Sequence, residues 1–216
     1  MEALKGVSEK VMKLILLGAP GAGKGSQGKI LAEHYNILTL CSGDILRSRV
    51  KEKAGALGFA ESMNGGQLVS DEYVMNLVMD ELKKPKYENG YILDGVPRTV
   101  EQADMLERNG IKVDAVLYID ASDEVVKRRI LNRRVCSCCG ALHCGADLLK
   151  CGQCGGNLEK RADDTAEVIQ ERLNVYREKT EPLVGYYSER GLLKKFDGNQ
   201  EKEKVAELMF DVLERL

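Results

Sequence analysis

The chain has 216 residues, is 44% apolar and 31% charged, and carries a net charge of −2. That length suits one α/β domain with inserted subdomains, or at most two small domains. The near-neutral balance provides no overall basic field, which argues against a nucleic-acid or anionic-membrane partner.

The first apolar stretch, residues 11–17, is interrupted by Lys13 and is far too short to span a bilayer. Lys5 and Lys10 precede it in the manner of a secretory leader. The Gly-rich, Lys-bearing loop that follows is no small-residue cleavage site, so the leader reading is rejected. Residues 11–17 read instead as a β-strand, and four more β-like runs follow at 38–41, 91–94, 115–119 and 193–196. Longer stretches of helical periodicity separate them. The pattern predicts a five-stranded parallel sheet with helices on both faces.

Two segments interrupt this alternation. Residues 42–69 read as a mostly helical insertion punctuated by Gly55, Gly58, Gly65 and Gly66. Residues 134–163 hold six of the seven cysteines and read as a small irregular subdomain. The core domain is then 1–41, 70–133 and 164–216. Asp164-Thr165-Ala166-Glu167 predicts a capping box with Asp164 as cap, opening a long helix through Tyr187. Residues 202–216 predict an amphipathic cover for the sheet through Val205, Leu208, Met209 and Leu213. Met75 and Met79, four apart, predict a packed helix face, and Tyr186 and Tyr187 predict core packing. Cys41 reads as a small buried filler at a strand end. His34 ends a helix, where a cation favours the C-terminal dipole.

The strongest chemical signal is Gly18-Ala19-Pro20-Gly21-Ala22-Gly23-Lys24-Gly25-Ser26, fed by a strand and followed by a helix. Glycines let backbone N–H groups converge on phosphate oxygens, and the helix N-terminus adds positive dipole. Lys24 adds a mobile charge at the β- and γ-phosphates. Gly25 stands where Ser or Thr ordinarily contacts Mg²⁺, and Ser26 follows one position later. Arg128, Arg129, Arg133 and Arg134 lie within two turns; spacing of four places Arg129 and Arg133 on one helical face, leaving Arg128 and Arg134 to solvent.

Cys136 and Cys139, with Cys151 and Cys154, form a CxxC…CxxC array. Two such knuckles supply the four soft ligands that tetrahedral Zn²⁺ takes, and the flanking glycines let N–H groups turn toward the thiolates. Cys138 and Cys144 remain possible substitutes and His143 a competitor. Fe²⁺ or Co²⁺ also suits a thiolate site. All these ligands stand apart from the phosphate loop in sequence, so the metal is expected to be structural, a staple for a unit too small to own a core. An odd number of thiols in this arrangement points to a reducing compartment, hence the cytoplasm.

The shifted loop GAPGAGKGS resembles that of the adenylate kinase family. Leu40–Arg47 (LCSGDILR) and Ile92–Thr99 (ILDGVPRT), followed by Gln102, are similar to the family's two monophosphate-site motifs, and RRVC with RADD…ER brackets its lid. The resemblance runs nearly the whole chain, in matching order. It implies reversible phosphoryl transfer from Mg·ATP to AMP, giving two ADP. It implies ATP contacts at Gly21, Ala22, Gly23, Lys24, Gly25, Ser26, Arg133, Leu142 and Gln200. It implies that Ser42, Arg47, Gln67, Leu68, Val69, Gly95, Val96, Pro97, Arg98 and Gln102 hold AMP, with Arg161 and Arg172 also reaching it. Arg47 and Arg98 would grip the monophosphate, and Gln102 the adenine. Asp94 would orient the waters around Mg²⁺, while Arg129, Arg133, Arg161 and Arg172 would meet the moving group. Residues 42–69 become the monophosphate-binding subdomain and 134–163 a lid that excludes water. The partners are ATP, AMP and ADP, with no nucleic acid and no membrane, and the protein is expected to be a monomer. A pyrimidine monophosphate kinase and a non-catalytic zinc-ribbon nucleotide-binding module are the alternatives.

Overall fold

The computed structural model describes residues 11–51, 65–145, 147–161 and 163–216. Lys5, Lys10, Gly55 and Gly58 lie outside the described residues. Strands β1 (Met12–Leu17), β2 (Leu38–Cys41), β3 (Gly90–Asp94), β4 (Ala115–Asp120) and, near the end of the chain, β8 (Leu193–Asp197) make one parallel sheet in the order β2-β3-β1-β4-β8. The five runs read from the sequence are these five strands, to within a residue at each end.

Side chains of β1 alternate between two cores. Met12, Leu14 and Leu16 pack into one, with helix α1 (Lys24–Tyr35), α6 (Ala166–Val175) and α8 (Lys202–Leu213). Ile15 and Leu17 pack into the other, with α3 (Asp71–Leu82), α4 (Val100–Arg108) and α7 (Pro182–Glu189). Both faces of the sheet are therefore covered, which is why its strands read as continuous apolar runs. Met75 is buried and Met79 packs against the same core, and Tyr187 is buried beside Tyr186. His34, in the last turn of α1, stacks on Phe210 with ring centroids 4.3 Å apart.

A second, three-stranded antiparallel sheet, in the order β6-β5-β7, lies in the cysteine-rich segment: β5 (Arg133–Cys136), β6 (Leu142–Cys144) and β7 (Leu158–Glu159). Among the described residues its own core is Cys136, Cys151 and Leu158, with Ala141 against them.

Four local expectations are corrected. The cap of α6 is Thr165, whose Oγ1 accepts from the N–H of Val168, while Asp164 is pulled inward to meet arginines. The helix expected through Tyr187 is interrupted by a π-helical turn at Tyr176–Thr180 before Pro182 opens α7, because proline has no N–H to continue the ladder. Helix α5 (Asp123–Leu131) ends before Arg133, which enters β5, so Arg129 and Arg133 do not share a helix face. The last helix ends at Leu213 rather than Leu216.

Candidate nucleotide site

The loop from Gly18 to Gly23 runs from the end of β1 into α1, at the carboxyl edge of the parallel sheet. Two of its glycines are demanded by space and by backbone: a Cβ on Gly18 would lie 2.5 Å from the Ile119 carbonyl oxygen, and one on Gly21 2.6 Å from Ile130 Cγ1, with φ of 147° and 83°. Gly23, at φ 112°, precedes the first turn of α1, and no side chain caps that end. The first N–H groups of α1 are thus left facing the cleft, the arrangement that favours an anion. Gly25 is not demanded by space: a Cβ there would meet only Leu142 Cδ1 at 3.7 Å and Asp94 Oδ2 at 3.8 Å.

Lys24 reaches back over the loop, its Nζ donating to the carbonyls of Gly18 (2.7 Å) and Ala19 (2.8 Å). It is half-buried by accessible surface, yet the concave wall encloses it with protein on nearly every side. That enclosure lowers its ammonium to about 8, against the opposing pull of Asp94; Arg98 and Arg133 push the same way as burial. Asp94, at the end of β3, is shifted in the complementary sense: burial raises its carboxyl, opposed by Lys24 and Arg98. Cys41, at the end of β2, is half-buried rather than a core filler; burial and the nearby Asp94 push its thiol up to about 11.

A cleft of about 1300 Å³ joins the loop to the second group of expected residues. Every nucleotide residue expected from the sequence lines it except Val96, whose side chain is fully buried in the α3–α4–α7 core. Helix α2 (Ser42–Lys51) begins at Ser42, which is 3% exposed and donates to the Gly95 carbonyl at 2.6 Å. Arg98 donates from Nε to the same carbonyl at 2.9 Å. Its own backbone is held on both sides, the N–H by Gln102 Oε1 (2.7 Å) and the carbonyl by Thr180 Oγ1 of the π-turn (2.8 Å). Arg47 lies on Asp44 at 2.5 Å. The 66–69 segment meets α6, with Gln67 Nε2 donating to Glu171.

The remaining arginines are not alike. Arg129 donates to three backbone carbonyls, of Ala22 (3.1 Å), Gly198 (2.8 Å) and Gln200 (3.4 Å), so it ties the phosphate loop to the turn after β8. Arg133, Arg161 and Arg172 gather on two adjacent aspartates. Arg133 Nε donates to Asp164 Oδ2 at 2.8 Å and Arg172 Nη1 to Asp164 Oδ1 at 3.4 Å. Arg161 forks onto Asp163 at 3.1 and 3.0 Å, and Arg172 also donates to Asp163. Burial works to raise the Asp163 carboxyl; Arg161 and Arg172 overcome it and hold it below the usual carboxylate range. Asp164 is 0% exposed. Exchanging it for asparagine keeps the shape but leaves the Arg133 guanidinium without its counter-charge and Arg172 with Asp163 alone. Urea unfolding of Asp164→Asn is expected to show a loss of about 3 kcal/mol, and a loss under 0.5 kcal/mol would contradict that role.

In the cysteine unit, ligand atoms of Cys136, Cys139, Cys151 and Cys154 all lie within 4.8 Å of one another. Four sulfurs about 2.3 Å from one ion stand about 3.8 Å apart, and the observed contacts are 3.4 Å (Cys136–Cys154) and 3.7 Å (Cys139–Cys151). The Cys139 N–H points at Cys136 Sγ and lowers that thiol to about 6. The Gly156 N–H pulls Cys154 down, but Cys139 and Cys136 push it the other way, to about 12. Four crowded thiols cannot all ionise without a cation, and the donor set fits a divalent metal. Cys138 and Cys144 stand outside this group, and His143 Nε2 touches Cys151 Sγ at 3.3 Å.

The sequence profile of the adenylate kinase family matches residues 16–192. The chain belongs to the adenylate kinase family. It is 43% identical to an adenylate kinase of Clostridium tetani over 212 residues, 94% of this chain and 98% of that protein. A Methanosarcina acetivorans adenylate kinase is 43% identical over 206 residues (91% and 95%), and one from Archaeoglobus fulgidus 42% over 219 residues (95% and 99%).

Against the motifs of this adenylate kinase family chain, reading the sequence missed Asp163 and Asp164 as partners of the arginines. The signal was present as two adjacent acids flanked by Arg161 and Arg172, but Asp164 also fits the first position of a capping box with Glu167. Asp71 was missed too; it lies at the first turn of α3 and receives Thr99 Oγ1 and Gln102 Nε2, both at 2.7 Å.

Proposed function

We propose that this adenylate kinase family chain moves the γ-phosphoryl of Mg·ATP to AMP, reversibly, giving two ADP. One observation carries the reading: a phosphate loop with Lys24 and a set of five arginines, 47, 98, 133, 161 and 172, line one cleft. Such a concentration of cations calls for polyanionic ligands on both sides of it.

In this reading Gly21, Ala22, Gly23, Lys24, Gly25 and Ser26 cradle the ATP phosphates, and Leu142 and Gln200 contact the rest of ATP. Arg98 and Arg47 grip the AMP phosphate, and 67–69 with Gln102 receive the base. Gly95 and Pro97 shape the wall beneath Arg98, and Val96 contributes backbone only. An AMP phosphate oxygen attacks the γ-phosphorus; the new O–P bond forms as the bond to the β,γ-bridging oxygen breaks, and ADP leaves with that electron pair. The nucleophile is already an anion, so no general base is required. Arg133, Arg161 and Arg172 exchange their aspartate partners for phosphoryl oxygens, and charge on those oxygens is what the transition state must have stabilised. Arg129 acts by holding the loop. Mg²⁺ would arrive with ATP and neutralise phosphate charge, and Asp94 would orient its waters. Cys136, Cys139, Cys151 and Cys154 would hold Zn²⁺, which would tie together residues 134–163 as a lid, with 42–69 as the monophosphate subdomain and 1–41, 70–133 and 164–216 as the core.

Among the described residues no helix is long and apolar enough to cross a membrane. With the charge near neutrality and a thiolate metal set, we take the protein to be a cytoplasmic monomer acting on small nucleotides, with neither nucleic acid nor membrane as partner. A coupled assay of 2 ADP ⇌ ATP + AMP, repeated with CMP, UMP and GMP as acceptors and accompanied by metal analysis, tests the reading. Preference for a pyrimidine acceptor would replace it.

Lys24 also sets a pH dependence. Its ammonium, lowered to about 8, is protonated below that pH and raised again by bound phosphate, so ATP binding above pH 8 takes up a proton. Calorimetric ATP affinity is expected to be flat below pH 7.5 and to fall above 8, approaching tenfold per pH unit. An affinity independent of pH up to 9.5 would contradict this.

A further inference from the structure

The carboxamide of Gln102 is held at both ends. Its Oε1 accepts from the Arg98 N–H and its Nε2 donates to Asp71 Oδ1, each at 2.7 Å. A peptide N–H only donates and a carboxylate only accepts, so these partners settle which end is oxygen and which is nitrogen. Asp71 is itself fixed: its Oδ2 accepts from Thr99 Oγ1 at 2.7 Å, and that hydroxyl accepts from the Gln102 N–H at 3.1 Å as the cap of α4. Gln102 is 1% exposed, and it lines the cleft.

A carboxamide has two N–H groups and two oxygen lone pairs. One of each is engaged here, leaving one N–H and one lone pair. That remainder matches a base edge with a donor beside an acceptor, as the amino group and N1 of a 6-aminopurine provide. A 6-oxopurine presents the reverse, an acceptor beside an N–H. Because its ribose and phosphate fix which way round the base enters, it is matched only if the amide turns over. Turned over, the amide would set its NH₂ against the Arg98 N–H and its oxygen against the Asp71 carboxylate.

We propose that Asp71 is a specificity-determining positioning residue: by locking the Gln102 carboxamide, it makes the monophosphate site accept 6-amino and refuse 6-oxo purines. The proposal rests on the reading of this end of the cleft as the AMP site. It assigns to Asp71 no contact with the nucleotide.

The test compares kcat/KM for AMP and IMP, which differ only at the purine 6 position and N1. Asp71→Asn keeps the shape but can turn its own NH₂ toward the Gln102 oxygen, so the inverted amide regains a partner. The AMP:IMP ratio is expected to fall about tenfold, the worth of one such hydrogen bond, with KM for ATP within twofold of wild type. Asp71→Ala removes the acceptor altogether without adding volume and is expected to move the ratio the same way. A merely structural defect would lower both substrates together and leave the ratio alone. Wild-type protein inactive on AMP would remove the underlying reading. Activity on AMP with the ratio within twofold of wild type in both folded variants would overturn the role of Asp71 by itself.

Discussion

Replacing Lys24 by alanine is expected to lower kcat/KM for ATP in the coupled assay on the order of 10³-fold, without lowering the thermal midpoint. The two halves of that expectation come from one fact. Lys24 is enclosed by the cleft wall, which lowers its ammonium to about 8. Below pH 8 it is charged in both folded and unfolded chains, so the folded state bears the full cost of enclosing it. Between 8 and the ordinary value of 10.5 the folded chain sheds the proton first, and that cost fades. At pH 7 the alanine variant is relieved of the cost, which outweighs the attraction of Asp94, and loses two hydrogen bonds, to the carbonyls of Gly18 and Ala19. The loop does not depend on those bonds for its shape, because Gly18 and Gly21 and the first turn of α1 set it. Folding should therefore be nearly indifferent to the change, while the charge proposed to meet the β- and γ-phosphates is gone. Turnover near the wild-type rate would mean that Lys24 is not the phosphate-binding cation.

The same logic explains the aspartates beneath the other arginines. Arg133, Arg161 and Arg172 repel one another in a cleft of limited solvent, and without counter-charges they would splay. Asp163 and Asp164 hold them close, and in the proposed reaction a phosphoryl group would offer more oxygens in the same place. A phosphate chain would then replace one set of anionic oxygens with another, and the arginines would need little rearrangement. Such preorganisation is where most of the catalytic advantage in phosphoryl transfer is expected to lie.

How much of this could be read from the chain depended on whether the signal was local. The five strands were legible because each is a short apolar run buried on both faces, as Ile92 and Leu93 of β3 are. The phosphate loop was legible because its glycines answer contacts that recur in any such loop. The four cysteines were legible as two knuckles; that Cys139 rather than Cys138 joins them is a matter of where each thiol points, which spacing leaves open. Arg133 was misplaced on a helix because nothing local marks the end of α5 at Leu131, and Asn132 as C-cap is a weak stop. Asp164 was read as a cap because its partner Arg133 is 31 residues away, and Asp71 lies 31 residues from Gln102. Pairings at that range have no periodicity to announce them.

Stripping the metal, or replacing Cys151 by serine, is expected to melt residues 133–161 while leaving the parallel sheet folded. Among the described residues that unit buries Cys136, Cys151 and Leu158 against Ala141, and two of those three side chains belong to the proposed ligand set. Three side chains cannot offset the ordering of a segment this long, at about 1–2 kcal/mol per residue of backbone, and the proposed metal would supply the difference. Without it the sulfurs also oppose one another, since Cys139 and Cys136 push the Cys154 thiol up to about 12. Amide exchange should therefore show one bound metal per chain protecting 133–161, and loss of that protection on its removal. Strands β1, β3 and β4 should remain protected, because their cores lie on the sheet and draw nothing from the cysteine unit. Turnover should fall at least tenfold in the metal-free protein, because Arg133 leads into this unit and Arg161 leads out of it, and both would lose their places over the cleft. Full activity with unchanged exchange in 133–161 would show that the four thiols hold nothing the enzyme needs.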